Sequence, residues 1–308
     1  MRNARAKRLW QIGGYMYQFN REEYNKRMEW YVDARFGMFI HWGLYSIPAR
    51  GEWVRSVEEI PKEDYMKYFY EFDPKDYDPK KWARAAKEAG MKYVVLTAKH
   101  HDGFCIWNSA YTDYDIANTS YKNGEGDILA EISEACTAAN MDMGLYLSPW
   151  DVAESTFGSD GGSIDNAYNE YYNNQLEEIL SDSKYGNNGH FVEVWMDGAN
   201  GYNNVPQTYN FEKWYATIQK YEGIEAGYKA DCMLFGAGTH TTVRWIGNEN
   251  GFADDTTWAK SRISNGQIYN DESQRAGDYK GDPTDGYSNG YEDGNHWTVP
   301  EADARITS

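Results

Sequence analysis

The chain has 308 residues, of which 41% are apolar and 16% aromatic, and its formal net charge is -18. That length accommodates one large barrel or two ordinary domains around a sizeable core. The charge excludes a phosphate polymer as partner, because nucleic acid would be repelled, and a solubility coat accounts for the acidity most simply.

The 12 Trp and 27 Tyr exceed the roughly 4 and 10 ordinary at this length. Aromatic rings stack on sugars and on bases alike, and the charge leaves sugars. Cys105, Cys136 and Cys232 form no CxxC pair and are odd in number, which argues against a zinc site and a disulfide framework. No run approaches 18 apolar residues, so no membrane span is expected. The basic start Met1-Arg-Asn-Ala-Arg-Ala-Lys-Arg8 lacks an apolar leader core. An intracellular protein and a secreted one with its leader removed fit equally.

In chain order, Glu22 to Tyr31 spaces Tyr24, Met28 and Tyr31 along one helical face. Arg35-Phe-Gly-Met-Phe-Ile-His41 reads as a strand with Gly43 in its exit turn, and 44–77 as a loop with short helical pieces carrying Glu52-Trp53. Asp78-Pro79 is an N-cap and first-turn proline, followed by Trp82, Ala85, Ala86 and Ala89 on one face and Gly90 as C-cap. Tyr93 to Ala98 is a continuous apolar strand ending in Lys99-His-His-Asp-Gly-Phe104. Asp127 caps a helix that turns Ile128, Leu129, Ile132, Cys136 and Ala139 inward. The strand Met143–Leu147 ends at Ser148-Pro-Trp150; a loop at 151–166 and a helix over Asn169–Leu180 precede Phe191-Val-Glu-Val-Trp-Met-Asp197. A helix follows at Phe211–Tyr221, then short strands at Cys232–Phe235 and Thr242–Gly247, the latter leading to Asn248-Glu249. Residues 250–296 show little periodicity, and Trp297–Ile306 reads as a last strand.

Strand tips therefore fall near His41, His100, Tyr146 and Asp197, with one helix signal between each pair. Repeated strand–helix–strand units predict a parallel sheet. An α/β fold of the (β/α)8 TIM-barrel type, irregular or cut short at its C-terminal end, is favoured over an open doubly wound sheet. His41-Trp42-Gly43 is not the glycine-rich phosphate loop of the doubly wound alternative. No domain boundary is visible, so 1–308 is read as a single domain.

The tips gather His41, Glu52, Trp53, His100, His101, Trp107, Tyr146, Trp195, Asp197, Arg244 and Glu249. Four histidines, counting His240, raise the question of a metal, but adjacent His100 and His101 in a strand would point to opposite sides. Neutral donors for hydroxyl groups, with Trp53, Trp107 and Trp195 as apolar walls, are the better reading; core packing serves each Trp taken alone equally well. No cofactor is called for. Sugar hydrolysis needs two carboxyl groups, one to attack or activate water and one to protonate the leaving oxygen. Asp197, rigid at its strand end, suits the first role, a helix cap or turn being the plain alternative. For the second, Glu249 competes with Glu52 and Glu301. Arg244 would hold a carboxylate or a sugar hydroxyl, or pair structurally.

Arg35 to Gly43, Glu52-Trp53, Lys99 to Phe104 with Trp107, Leu145 to Trp150 and Val194-Trp-Met-Asp-Gly198 together resemble the α-L-fucosidases of glycoside hydrolase family 29. The stretch from Val243 to Trp258 resembles them too, and Trp297–Ile306 more loosely. The resemblance implies a retaining exo-glycosidase on a (β/α)8-like barrel without metal, acting on a fucosylated oligosaccharide or glycoconjugate. Asp197 matches the nucleophile, and Glu249 the acid/base of the branch with a Gly-Asn-Glu motif. His41, Glu52, Trp53, His100, His101, Tyr146 and Trp195 match the lining of the fucose pocket, and Trp107, Arg244 and Trp258 complete the expected substrate-binding set. The family usually continues into a β-sandwich and a Gly-Trp-Phe-type segment, both beyond this sequence. A fucose-binding barrel that has lost catalysis, or a shortened family member, is the alternative expectation; a metal-dependent hydrolase is a third.

Overall fold

The computed structural model describes residues 19–160, 162–197, 206–223, 232–235, 242–246, 258–264, 267–269 and 290–305. Five of the helices start where the sequence supplies a side-chain acceptor for otherwise orphaned backbone N–H groups. Asn20 caps α1 (Arg21–Ala34) by accepting from the amides of Glu22 and Glu23. After β1 (Gly37–Ile40), a one-turn helix at Val54–Val57 and α2 (Lys62–Glu71), Asp78 caps α3 (Pro79–Glu88) through the Lys81 amide. β2 (Tyr93–Lys99) follows, and Asp127 caps α4 (Ile128–Ala139) through the Ala130 amide. Asn166 likewise begins α5 (Ala167–Ser181), which lies between β3 (Asp142–Leu147) and β4 (Glu193–Trp195). Asn210 begins α6 (Phe211–Glu222), ahead of β5 (Met233–Phe235).

These five strands form one parallel sheet in the order β1-β2-β3-β4-β5. Each connection is too long for a hairpin and carries at least one helix, as parallel neighbours require. Beyond them, β6 (Val243–Trp245) pairs in parallel with β10 (Val299–Glu301), with Glu301 opposite Trp245. β7 (Lys260–Ser264) pairs antiparallel with β8 (Gln267–Tyr269) and with β9 (His296–Trp297). The long stretch expected to show little periodicity thus contains strands. The sequence Lys260-Ser-Arg-Ile-Ser264 lacks the apolar alternation that would reveal one.

Side chains alternate across each strand and sort into two cores. Val94, Leu96, Ala98, Met143, Leu145, Leu147, Val194, Met196 and Leu234 pack with the helices. Tyr93, Val95, Tyr146, Trp195, Met233 and Phe235 face the other way, together with Val243, Val299 and the buried stripe Tyr24, Met28 and Tyr31 of α1. Tyr93, Val243 and Val299 are the first residues of their strands, so α1 lies across the N-terminal ends of the strands. The Tyr24 hydroxyl pins it there by donating to the Thr242 carbonyl at 2.9 Å. The opposite, C-terminal ends stay clear for polar residues. Among the described residues, no helix is long and apolar enough to cross a membrane.

Candidate functional site

The C-terminal ends of β1 to β4 deliver His41, His100, Tyr146 and Asp197 to one place. Glu193, Trp195 and Asp197 alternate toward the face that carries Tyr146. The Tyr146 hydroxyl donates to Asp197 Oδ2 at 2.9 Å. Burial, and then the Asp197 charge, push the Tyr146 phenol well above its ordinary range, so it remains a donor. The Tyr146 ring stacks on Trp195 at 5.2 Å, and Trp195 stacks on Phe235 at 3.7 Å with an interplanar angle of 4°.

The imidazoles complete a ring-lined wall. His41 stacks on Phe39 at 5.0 Å and meets His100 edge-on at 5.3 Å, and His100 stacks on Tyr146 at 5.7 Å. His101 stacks nearly parallel on both Trp53 at 4.5 Å and Trp150 at 4.7 Å, and those two indoles stack on each other at 5.7 Å. The expectation that adjacent His100 and His101 diverge is not met. β2 shifts register between Thr97 and Lys99 and ends there, so strand alternation no longer applies, and the two ring centroids lie 4.4 Å apart. Both rings are buried, and among the described residues Nδ1 of His100 and both ring nitrogens of His101 have no hydrogen-bond partner. Such atoms are costly unless something else satisfies them. Burial, then the charges of its neighbours His101 and His41, hold His100 well below the ordinary imidazole range. Burial, then Arg55 and His41, lower His101 to about 3. His41 keeps solvent access yet is crowded by protein atoms; desolvation lowers it, against the opposing charge of Glu52. At neutral pH all three are neutral and can both donate and accept.

Behind this wall, buried charges fix the loops. Lys99 Nζ lies 3.1 Å from Asp151 Oδ2 and donates to Gln175 Oε1 at 2.8 Å, with both charged side chains almost fully buried. Asp151 Oδ1 accepts the amides of Ala153 and Glu154. Asp102 accepts from the Tyr65 hydroxyl and the Phe104 amide, while burial lifts its carboxyl to about 6. Gly103, at φ +84, has no room for a Cβ: one would sit 2.4 Å from Asp151 Oδ1. Lys99, Asp102 and Asp151 stand beside His100, His101 and Trp150 in sequence, and their polarity next to apolar strand ends was the available signal.

Not every expected residue joins the cluster. Glu52 lies close enough to influence His41. Trp107 is fully buried on the helix side, where its indole donates to Glu178 Oε2 at 2.8 Å. Arg244 alternates with Val243 and Trp245, which face the second core, so it projects the other way and is buried. Trp258 is exposed, with Lys260 Nζ 5.7 Å from its ring centroid. Glu301 is buried and accepts the Trp195 indole N–H at 3.3 Å. Burial, then Asp303, raises Glu301 to about 8. Glu249 and His240 lie outside the described residues. Among the described residues, no group of three or more His, Cys, Asp or Glu is arranged to hold a metal ion.

The sequence profile of the family described as alpha-L-fucosidase matches residues 5–281. Alpha-L-fucosidase 1 of Arabidopsis thaliana is 36% identical over 238 residues, covering 76% of this chain and 41% of that protein. A putative alpha-L-fucosidase 1 of Oryza sativa is 37% identical over 255 residues, covering 82% of this chain and 43% of that protein. The chain thus spans less than half the length of either plant relative. Among solved structures, a GH29 fucosidase of Ruminococcus gnavus in complex with fucose superposes with a TM-score of 0.71 at 44% identity, covering 96% of this chain and 58% of that one.

Proposed function

Because this chain belongs to the alpha-L-fucosidase family, we propose that it is the catalytic barrel of a retaining exo-glycosidase that releases terminal α-L-fucose from fucosylated glycans. In this proposal 1–308 form one domain, and β6 and β10 continue the five-stranded sheet into a (β/α)8-type barrel. The likeness to the Ruminococcus gnavus structure supports this, as does the hydrogen bond from Trp195 at β4 to Glu301 of β10.

The observation that carries the function is Asp197 at a strand end, held by the Tyr146 hydroxyl, with neutral imidazoles packed around that tyrosine and ring nitrogens of His100 and His101 unsatisfied among the described residues. Asp197 attacks the anomeric carbon, forming a C1–O ester as the bond from C1 to the leaving oxygen breaks. Glu249 gives its proton to that oxygen. It then takes a proton from the water that attacks C1, releases fucose with its configuration retained and frees Asp197. His41, His100 and His101 exchange hydrogen bonds with the sugar hydroxyls, and Trp195 with Phe39 offers an apolar wall to the C6 methyl. Trp107, buried on the helix side, and Arg244, projecting away from the second core, act at most indirectly, while the exposed Trp258 keeps its place in the proposed substrate-binding set.

A chromogenic aryl α-L-fucoside tests the proposal. Turnover is expected, with α-L-fucose as the first product by NMR, and Asp197→Gly should lower kcat by ~10³-fold or more without unfolding the chain. Stabilisation by fucose with no product release would point instead to a binding protein. Ordinary activity in Asp197→Gly, or β-fucose as first product, overturns the mechanism.

A further inference from the structure

Glu301 is a rival of Glu249 for the acid/base role in the sequence, and its position gives it another use. It is buried beside Trp195, two residues before Asp197, and its Oε1 accepts the indole N–H at 3.3 Å. Glu193, fully buried on β4, and Asp303 both lie close enough to interact electrostatically with it. Asp303 repeats the arrangement, accepting the Trp245 indole N–H of β6 at 2.9 Å. One short segment therefore takes up the indoles of two different strands.

From this contact and the stack above it, and resting on the function proposed above, we infer that Glu301 is a positioning residue for the nucleophile: its carboxyl fixes the Trp195 indole, which fixes Tyr146 and Asp197. Three contacts carry the chain of effects. Trp195 is clamped on one side by Phe235 at 3.7 Å and on the other by Tyr146 at 5.2 Å, and Tyr146 donates to Asp197. Stacking alone leaves a ring free to slide in its plane. The indole N–H bond removes that freedom, because a buried N–H without an acceptor is costly. Trp195 and Asp197 share a strand end, so a slide of the indole is passed to the carboxylate directly and again through Tyr146. The imidazoles that would hold the sugar make no contact with Glu301, so its removal should disturb attack more than binding.

The test uses the whole chain, an aryl α-L-fucoside and five variants. Glu301→Gln keeps an acceptor oxygen at the same reach and should stay within ~3-fold of wild-type kcat, whereas Glu301→Met removes it and should lower kcat ~10-fold with KM within ~3-fold. In a Trp195→Phe background, which has no indole N–H, Glu301→Met should cost less than ~2-fold more. Wild-type kcat in Glu301→Met, a loss expressed only in KM, or a full additive loss in the Trp195→Phe background overturns the inference. Should Glu301→Met not fold, Glu301→Asp, one methylene short, must show the same kcat loss, and normal kcat in it overturns the inference equally. Wild-type protein that releases no fucose defeats the proposed function instead, so the two failures are distinct.

Discussion

The Tyr146 hydroxyl donates to Asp197 Oδ2 across 2.9 Å, joining the ends of two neighbouring strands. A hydrogen bond to a charged acceptor is worth more than a neutral one, and this one also orients the carboxylate. Tyr146→Phe keeps the ring stack on Trp195 and His100 and removes only the donor. We expect kcat/KM on an aryl α-L-fucoside to fall ~10²-fold with little change in thermal stability. A variant within twofold of wild type would show that Asp197 is held by other means.

Lys99 and Asp151 form a buried ion pair at the tips of β2 and β3, and the residues next to them, His100 and Trp150, both pack against His101. Removing one partner leaves a charge stranded in the interior, which costs more than the pair is worth. Lys99→Met is expected to destabilise the fold by about 3 kcal/mol, read from the urea midpoint. The stranded Asp151 still accepts two amides, so the loop is strained rather than lost. An unchanged midpoint would mean that the pair holds nothing in place.

The framework was legible because it follows local rules. Tyr93 to Ala98 is apolar but for Thr97 and is buried throughout; Asp78 and Asp127 cap the helices they announce. The four strand-tip residues His41, His100, Tyr146 and Asp197 were legible as polar groups ending apolar runs. What failed depends on contacts distant in sequence. Trp107 follows the histidine loop and looked like pocket lining, but the chain folds back, with the Ile106 amide bonded to the Ala98 carbonyl, and carries the ring into the core. The convergence of His100 and His101 needed the register shift after Thr97, which no side chain advertises. Glu301 meets Trp195 across 106 positions, and only the folded sheet brings them together.

The buried histidines make stability depend on pH in a calculable direction. Burial lowers His101 to about 3 from its ordinary 6.5, so between those values the unfolded chain binds more protons than the folded one. Stability must then fall as pH drops from about 6.5 toward 3. His101→Phe keeps a flat ring against Trp53 and Trp150 and removes the titration. Its melting temperature should fall less steeply than that of wild type between pH 6.5 and 4.5, while fucoside turnover is lost. Parallel melting curves over that interval would assign the acid sensitivity to other groups.

Glu222 predicts the opposite slope at higher pH. It ends α6 nearly fully buried, accepts the Phe191 amide at 3.0 Å, and lies 3.3 Å from His190 Nδ1. Burial raises its carboxyl from 4.5 to about 8, so the folded state holds a proton that the unfolded state has lost across that window. The stability this contributes is complete below about 4.5 and disappears as pH rises through 8. Glu222→Gln keeps an acceptor for Phe191 and cannot ionise. It should match wild type near pH 4.5 and unfold at a higher urea concentration at pH 9. Because Phe191 leads directly into the strand that carries Asp197, the same variant should retain activity further into alkali, and a gain that appears equally at pH 4.5 would show that packing rather than ionisation is responsible.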